Sequence, residues 1–226
     1  MIIGKGLVAN TFTGSILEKN HLIFASGVSN SVNPLKKDFE REKSLLLSYK
    51  NLTKKIIYFS TCSIEDPSVI QKPYIQHKLG MEDLIANEFK EYLILRLPTM
   101  VGFTKNPNTF FNHFKTKILQ GDELTIYKDA VRFLFDIDHL EASTRICTQL
   151  FSNQIINVAF NNKAFVLDIV KKMAELMGKD LNVNLMKKGA NFSIKNEVFM
   201  QLVQSEPALN LLAVDYSSIL NKYIND

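Results

Sequence analysis

The sequence predicts an α/β protein in which helices cover both faces of a parallel sheet and a smaller lobe follows at the C-terminal end. Three observations support this fold class. Short apolar runs alternate with helix-length amphipathic segments, a glycine-rich turn follows the first apolar run, and hydroxyl side chains end a later one. A chain of 226 residues is long enough for one full core with a small appended lobe.

Composition argues against several classes of function. Charged residues make up 22% of the chain, and the formal charge of +4 comes from dispersed Lys and Arg rather than from a basic block. We therefore expect no nucleic-acid partner. No apolar run approaches the ~20 residues of a membrane span, so we expect no membrane contact and a cytoplasmic protein. The two cysteines and four histidines are scattered, which predicts neither a metal site nor a disulfide.

The first apolar run, residues 1–4, is predicted to be a strand. The turn after it, Gly4-Lys5-Gly6-Leu7-Val8-Ala9, fits the G-x-G-x-x-G/A fingerprint of dinucleotide-binding sheets. The two glycines allow a tight turn and a close approach of backbone to a pyrophosphate, which faces the N-terminus of a helix predicted over about 7–18. The alternative is a glycine-rich turn without a ligand. The predicted cofactor-binding residues of this turn are Gly4, Gly6, Leu7 and Val8.

A later strand and helix carry the residues of a proton-transfer site. A strand predicted at 55–60 delivers hydroxyl side chains at its carboxyl end, and thirteen residues after Thr61, Tyr74 opens a helical pattern with Lys78 four positions later. Positions i and i+4 share a helix face, so the ammonium lies beside the phenol and favours its phenolate. A tyrosine ordinarily titrates near pH 10, and acid–base work near neutrality requires such a cation. We predict Tyr74 as acid/base, Lys78 as its cation and Thr61 as the hydroxyl that orients the substrate oxygen; the alternative is a solvated helix face.

The other segments continue the alternation of strands and helices. Residues 22–25 form an apolar run, and a charged helix is predicted from Asn33-Pro34 to about Tyr49, with its leucines inward and its charged residues, including Glu42, outward. Further apolar runs predict strands at 92–97, 124–127, 131–135, 155–158 and 181–185. Periodic segments predict helices at 73–89, after 108, and at 138–151, 165–177, 195–204 and 215–224.

Several of these features, in this order, resemble the short-chain dehydrogenase/reductase superfamily and more closely its nucleotide-sugar epimerase/dehydratase branch. They are the glycine turn, the strand that ends in Ser60-Thr61 and the helix with Tyr74 and Lys78. The segment 93–102, LILRLPTMVG, is similar to the Arg-x-Pro-x-x-x-Gly strand end of the branch. The segment 131–140 is similar to its Arg-Asp-Phe-x-x-Val-x-Asp-Asp-Leu segment, with Arg132 and Asp138 at matching positions.

The resemblance implies a Rossmann-like core over residues 1–105 and a substrate lobe over 106–226 that is interleaved with the last core strand and helix. It also implies hydride transfer between NAD or NADP and a nucleotide-activated sugar. Beyond the first turn, the implied cofactor contacts are Ala25, Ser26, Gly27, Ser60, Pro98 and Val101. The implied substrate contacts are Cys62, Asn108 and Arg132. The guanidinium of Arg132 would pair with the diphosphate; the alternative is an ordinary strand cation.

The sequence departs from the branch after the first helix. The second strand of full-length members ends in an acid that binds the adenosine ribose, or in basic residues that accept a 2'-phosphate. Here residues 24–30, FASGVSN, instead resemble the fourth strand, so that the second and third strands are missing. Cofactor binding is then weaker, unusual on the adenine side, or lost. The sheet ends at residues 1–4 or 22–25, and because an uncovered edge needs a partner, we expect a homodimer.

The resemblance leaves several reactions open. Dehydratases of the branch place an Asp-Glu pair directly after the hydroxyl residue, and here Cys62-Ser63 takes those places, which argues against dehydration. Keto-sugar reduction is the first expectation and epimerisation the second. A third is a catalytically inactive protein that binds a sugar nucleotide or acts as a scaffold. The retained Tyr74, Lys78 and Thr61 argue against this third possibility, and the missing ribose acid argues for it.

Overall fold

The computed structural model describes residues 1–28 and 34–225. The predicted helix start at Asn33 and the end of segment 24–30 therefore lie outside the described residues. The strands are β1 (Ile2–Ile3), β2 (Leu22–Phe24), β3 (Ile56–Thr61), β4 (Tyr92–Leu97), β5 (Thr99–Val101), β6 (Leu124–Tyr127), β7 (Val131–Asp136), β8 (Gln154–Asn157), β9 (Lys163–Phe165) and β10 (Val183–Met186).

The helices alternate with these strands. In chain order they are α1 (Leu7–Asn10), α2 (Ile16–Asn20), α3 (Lys36–Leu47), α4 (Pro73–Glu88), α5 (Phe110–Gln120), α6 (Leu140–Leu150), α7 (Val166–Leu176), α8 (Glu197–Ser205), α9 (Pro207–Asn210) and α10 (Tyr216–Asn225). In the part of the chain that the structure describes, no helix is long and apolar enough to cross a membrane.

Five parallel strands form the main sheet, in the order β1-β2-β3-β4-β8. Side chains of neighbouring positions point to opposite faces, and both faces are buried. On one face Leu22 and Tyr58 pack with Leu46 of α3 and Met81 of α4. On the other, a larger apolar cluster includes residues of α2, α6 and α7. The predicted fold class, a parallel α/β sheet with helices on both faces, is confirmed.

The strand after the first helical region pairs directly with β1. Ile2 and Ile3 lie opposite Ile23 and Phe24, and within the described residues no strand pairs with the other side of β1. The strand that follows, β3, carries the predicted hydroxyl residues. This order is the one expected if the second and third strands of a full-length member are missing, with β1 at the edge of the sheet.

Two smaller sheets lie beside the main one. Strands β6 and β10 pair in parallel, while β7 pairs in parallel with β5 and antiparallel with β9. Strand β8, at residues 154–157, joins the main sheet beside β4 although it lies far along the chain. The predicted later strands and helices match the observed ones to within a few residues.

Two predictions about helices are wrong. The helix predicted over 7–18 is interrupted between α1 and α2, where Gly14 has a φ of +79° and the Ser15 side chain accepts a hydrogen bond from Leu17 N and caps α2. In α3, Glu42 was expected to face outward. It is fully buried, because its carboxylate is surrounded by donors from other elements, as described below.

Candidate active site

A cavity of about 370 Å³ lies at the carboxyl ends of β1, β2, β3 and β4. This is where parallel α/β sheets bind their ligands. Its lining includes most of the predicted site. The lining residues are Lys5, Gly6, Leu7, Val8, Phe24, Ala25, Ser26, Gly27, Val28, Phe59, Ser60, Thr61, Tyr74, Lys78, Leu97, Pro98, Met100 and Asn106.

The two glycines of the first turn have different roles. Gly4 has a φ of +135°, and a Cβ built on it would lie 2.4 Å from the carbonyl oxygen of Ala25. Only glycine therefore permits this approach of the first turn to the end of β2. A Cβ on Gly6 would meet no atom within 4 Å, which leaves open space above this turn. Gly6, and not Gly4, lines the cavity.

Three hydroxyl groups meet in the cavity. Tyr74 lies in the first turn of α4, which begins with Pro73, and its side chain is partly buried. Thr61 ends β3, and its Oγ1 accepts a hydrogen bond of 3.1 Å from Ser63 N, so its own proton can still be donated. Ser60 Oγ is buried and has no hydrogen-bond partner among the residues that the structure describes. An orphaned hydroxyl of this kind in a cavity wall suits a bound polar group.

Lys78 lies one turn after Tyr74 and is almost fully buried. Its Nζ donates hydrogen bonds to Glu42 Oε1 (3.0 Å), to the Tyr58 hydroxyl (2.8 Å) and to the Phe59 carbonyl oxygen (3.2 Å). Burial of Tyr74 raises the pKa of its phenol, the charge of Lys78 lowers it, and the charge of Glu42 raises it; the net pKa is raised. The charge of Lys78 therefore lowers the pKa of Tyr74, as predicted, but this decrease is smaller than the increase that burial causes.

The carboxylate of Glu42 is the main feature of the site that the sequence did not predict. It accepts hydrogen bonds from Tyr58 OH (2.7 Å) and Val28 N (3.0 Å), and lies 3.0 Å from His77 Nε2. Burial would raise its pKa, but the charge of Lys78 and the hydrogen bonds from His77, Tyr58 and Lys78 lower the pKa to about 2. Glu42 is thus ionised and is the counter-ion of Lys78.

Most implied cofactor contacts lie together, with exceptions. Ala25, Ser26, Gly27 and Pro98 line the cavity with Ser60 and the first turn. Val101 does not, because it is fully buried in the larger apolar cluster.

The implied substrate contacts do not converge on this cavity. Cys62 is buried, its thiol donates to the carbonyl oxygen of Arg96, and burial raises the pKa of that thiol. Asn108 is exposed and follows the cavity-lining Asn106 by two residues, with its N–H donated to the Asn106 side chain. Arg132 lies outside the lining; its guanidinium donates to Val131 O and lies 3.9 Å from Asp66 Oδ2.

A second cavity adjoins the first. It has a volume of about 540 Å³ and shares Lys5, Gly6, Leu7 and Asn106 with the first cavity. The exposed Phe103 and the neighbouring Lys105 belong to its wall. The sequence predicted neither Lys5 nor Asn106 as a site residue, although both lie in segments that it singled out.

The cavity fits a nicotinamide cofactor on two observations. Gly6 leaves room for a group close to the backbone of the first turn, and the cavity-lining Ser60 has a buried hydroxyl with no hydrogen-bond partner among the described residues. On the adenine side, the described structure offers no acidic strand end, because β2 directly follows the first helical region.

Comparison with known proteins gives matches by structure only. No protein-family model and no curated protein matches the sequence. A variant of UDP-glucuronic acid 4-epimerase from Bacillus cereus, in complex with a UDP-sugar and NAD, is 21% identical, with a TM-score of 0.69 over 99% of this chain and 81% of that one. UDP-glucose 4-epimerase from Thermus thermophilus, in complex with NAD, is 16% identical, with a TM-score of 0.70 over 98% and 82%.

The dTDP-glucose 4,6-dehydratase of Streptomyces venezuelae, with NAD bound, has a TM-score of 0.73 at 14% identity, over 98% of this chain and 77% of that one. All three matches span nearly the whole of the present chain, including the segments after residue 105. Identities this low establish the fold and not the activity. The chain therefore has the fold of these nucleotide-sugar epimerases and this dehydratase, all solved with NAD bound.

Proposed function

We propose that the protein is an NAD(P)-dependent enzyme that acts on a nucleotide-activated sugar, with epimerisation as the reaction. One observation carries the proposal: Tyr74, Thr61 and Ser60 line one cavity together with Gly6 of the glycine turn. The solved structures of this fold with UDP-sugars or NAD bound support the cofactor and the substrate class. Because several of these structures are epimerases, they support epimerisation better than keto-sugar reduction.

The proposed mechanism uses the cavity residues for proton transfer. Gly6, Ser26 and Ser60 would hold the cofactor, which supplies hydride exchange at the sugar carbon when it is bound. Tyr74, in its phenolate form, would accept the proton of the sugar hydroxyl during oxidation and would return it to the same oxygen during reduction. Thr61 donates a hydrogen bond to the same oxygen and orients it. The charge of Lys78 stabilises the phenolate form of Tyr74 during this step.

Keto-sugar reduction remains the second candidate, and one observation favours it. The raised pKa of Tyr74 keeps its phenol protonated at neutral pH, which is the form that donates a proton to a carbonyl oxygen during reduction. The sequence argues against dehydration, because Cys62 and Ser63 take the places of the acidic pair. Arg132 as a diphosphate contact stays a prediction, as does the division into a core of residues 1–105 and a substrate lobe.

The first test is the substitution Tyr74→Phe, which removes only the phenolic hydroxyl. We expect a native circular dichroism spectrum and a loss of turnover of about 100-fold to 10,000-fold, the usual contribution of a general acid or base. Turnover would be measured with UDP-glucose and UDP-glucuronic acid as substrates and NAD as cofactor, with epimers separated by chromatography. The matched control is Tyr127→Phe, at an exposed tyrosine of β6 outside the cavity.

Unchanged turnover in Tyr74→Phe would contradict the proposed mechanism. A fluorescence titration of the wild-type protein with NADH and NADPH separates the enzyme from the inactive alternative. Binding of neither cofactor at millimolar concentration would favour a sugar-nucleotide binding or scaffold protein.

A further inference from the structure

A buried ionic cluster forms the wall behind Tyr74. It consists of Glu42 from α3, Tyr58 from β3, and His77 and Lys78 from α4. Glu42 has no exposed surface, and its two carboxylate oxygens interact with four groups at 2.7 to 3.0 Å. A buried carboxylate is costly unless charge and hydrogen bonds compensate for it, and here both do. The charge and the hydrogen bonds around Glu42 therefore compensate for the cost of burying its carboxylate.

The hydrogen bonds of Lys78 account for its whole donor capacity. An ammonium has three N–H groups, and these reach Glu42, the Tyr58 hydroxyl and the Phe59 carbonyl oxygen. None is left to donate to Tyr74. In this arrangement Lys78 influences the phenol by its charge across the cavity wall and not by a direct hydrogen bond.

The residues that follow β2 pack closely against the ion pair of Lys78 and Glu42. A Cβ on Gly27 would lie 3.0 Å from Lys78 Nζ and 3.5 Å from Glu42 Oε1, so a larger residue would press on both groups. The next residue, Val28, donates its backbone N–H to Glu42 Oε2. Glu42 thus connects the cavity floor after β2 with the lysine on α4.

We propose that Glu42 is a positioning residue of this site, which holds the Lys78 ammonium against the end of β3 and cancels part of its charge at Tyr74. The inference rests on the proposed function only in giving Tyr74 an acid–base role. Its physical content, a carboxylate that reduces the effect of Lys78 on the phenol, concerns the protein without substrate or cofactor.

The charges around Tyr74 give the direction of the effect. Lys78 favours the phenolate and Glu42 disfavours it, so a neutral side chain at position 42 leaves the ammonium unopposed and lowers the pKa of Tyr74. The other charged or titratable residues around the cluster are not substituted in such a variant. They are Lys5 in the first turn, Arg41 on α3, Tyr58 on β3, and His77 and Glu82 on α4.

The test is an NMR titration of the protein labelled with ¹³C at the tyrosine ring carbon that bears the hydroxyl, with Tyr74→Phe to assign the resonance. In Glu42→Gln, which keeps the size of the side chain, we expect the titration of Tyr74 to move about one pH unit or more toward acid. The matched control is Glu82→Gln, another buried carboxylate on α4, which pairs with Arg96 and does not line the cavity. It should leave the Tyr74 titration unchanged.

A folded Glu42→Gln protein with the wild-type titration of Tyr74 would overturn the proposal. If that variant does not fold, the carboxyl carbon of Glu42 is followed in the wild-type protein, assigned through its bonded carbons. A carboxylate that stays ionised to about pH 2 supports the proposal, and one that is protonated at neutral pH overturns it. Because neither measurement needs cofactor or substrate, failure to bind NADH would count against the proposed function alone.

Discussion

Glu42→Gln should make the stability of the protein less sensitive to acid. The carboxyl of Glu42 is fully buried, and against the effect of burial the charge of Lys78 and the hydrogen bonds from His77, Tyr58 and Lys78 lower its pKa from the ordinary 4.5 to about 2. A carboxyl with a lowered pKa in the folded state contributes stability that is present above its unfolded pKa. That contribution is lost as the pH falls from about 4.5 to about 2, and the glutamine variant never has it.

The size of the effect follows from the pKa difference. Each pH unit of difference corresponds to about 1.4 kcal/mol, so Glu42 contributes about 3 kcal/mol at neutral pH relative to pH 2. The gap in unfolding free energy between wild type and Glu42→Gln should therefore narrow by about 3 kcal/mol between pH 7 and pH 2. This is a large part of the ~5–15 kcal/mol that holds a typical domain folded.

The assay is urea unfolding followed by circular dichroism at a series of pH values. The control is Glu88→Gln at the end of α4, because Glu88 lies 3.7 Å from Lys50 with both side chains exposed. Exposed pairs contribute about 0–1 kcal/mol, so this variant should stay close to wild type throughout. A gap between wild type and Glu42→Gln that is constant from pH 7 to pH 2 would refute the reasoning, because Glu42 would then titrate equally in the folded and unfolded states.

Three further predictions concern the cofactor, the lysine and the open edge of the sheet. Lys78→Met should raise the apparent pKa of the catalytic step, because the charge that lowers the pKa of Tyr74 is gone. Identical pH–rate profiles of the variant and the wild type would show that Lys78 does not affect the pKa of the Tyr74 phenol. NADH and NADPH should bind with affinities within about a hundredfold of each other in fluorescence titrations, because no acid stands where the ribose would be read. A larger preference would reveal a ribose-reading residue. Sedimentation should give a homodimer, because β1 has an unpaired side within the described residues, and a monomer at micromolar concentration would contradict this.

The sequence was sufficient for the sheet and for the pair on α4. Apolar runs such as Ile56–Thr61 identify strands that are buried on both faces, and a spacing of four places Tyr74 and Lys78 on one side of a helix. The glycine turn was also predictable from the sequence, because Gly4 adopts a backbone conformation with positive φ that other residues rarely take. These are local signals, which depend on neighbours in the chain.

The contacts that depend on distant segments were not predictable in the same way. Glu42 lies among charged residues of α3, and only the donors from β3, α4 and the end of β2 explain its burial. Successive residues of a strand, such as Ser60 and Thr61 of β3, point to opposite faces of the sheet. Both reach the cavity, because it lies at the end of the strand and not on one of its faces. Cys62, the next residue, turns into the core.

The edge position of β1 has different consequences for the geometry around Tyr74 and for the binding energy of a cofactor. The contacts described around Tyr74 are made among β1, β2, β3, α3, α4 and the segment 97–106, beginning with the approach of Gly4 to Ala25. Within the described residues none of them involves a strand on the far side of β1, so the proposed acid–base residues are placed without one. Hydride and proton transfer need only the nicotinamide end of a cofactor, whereas much of its binding energy comes from parts that do not react. We therefore expect a sheet that ends at β1 to weaken the binding of a cofactor more than the rate of the chemical step in the bound complex.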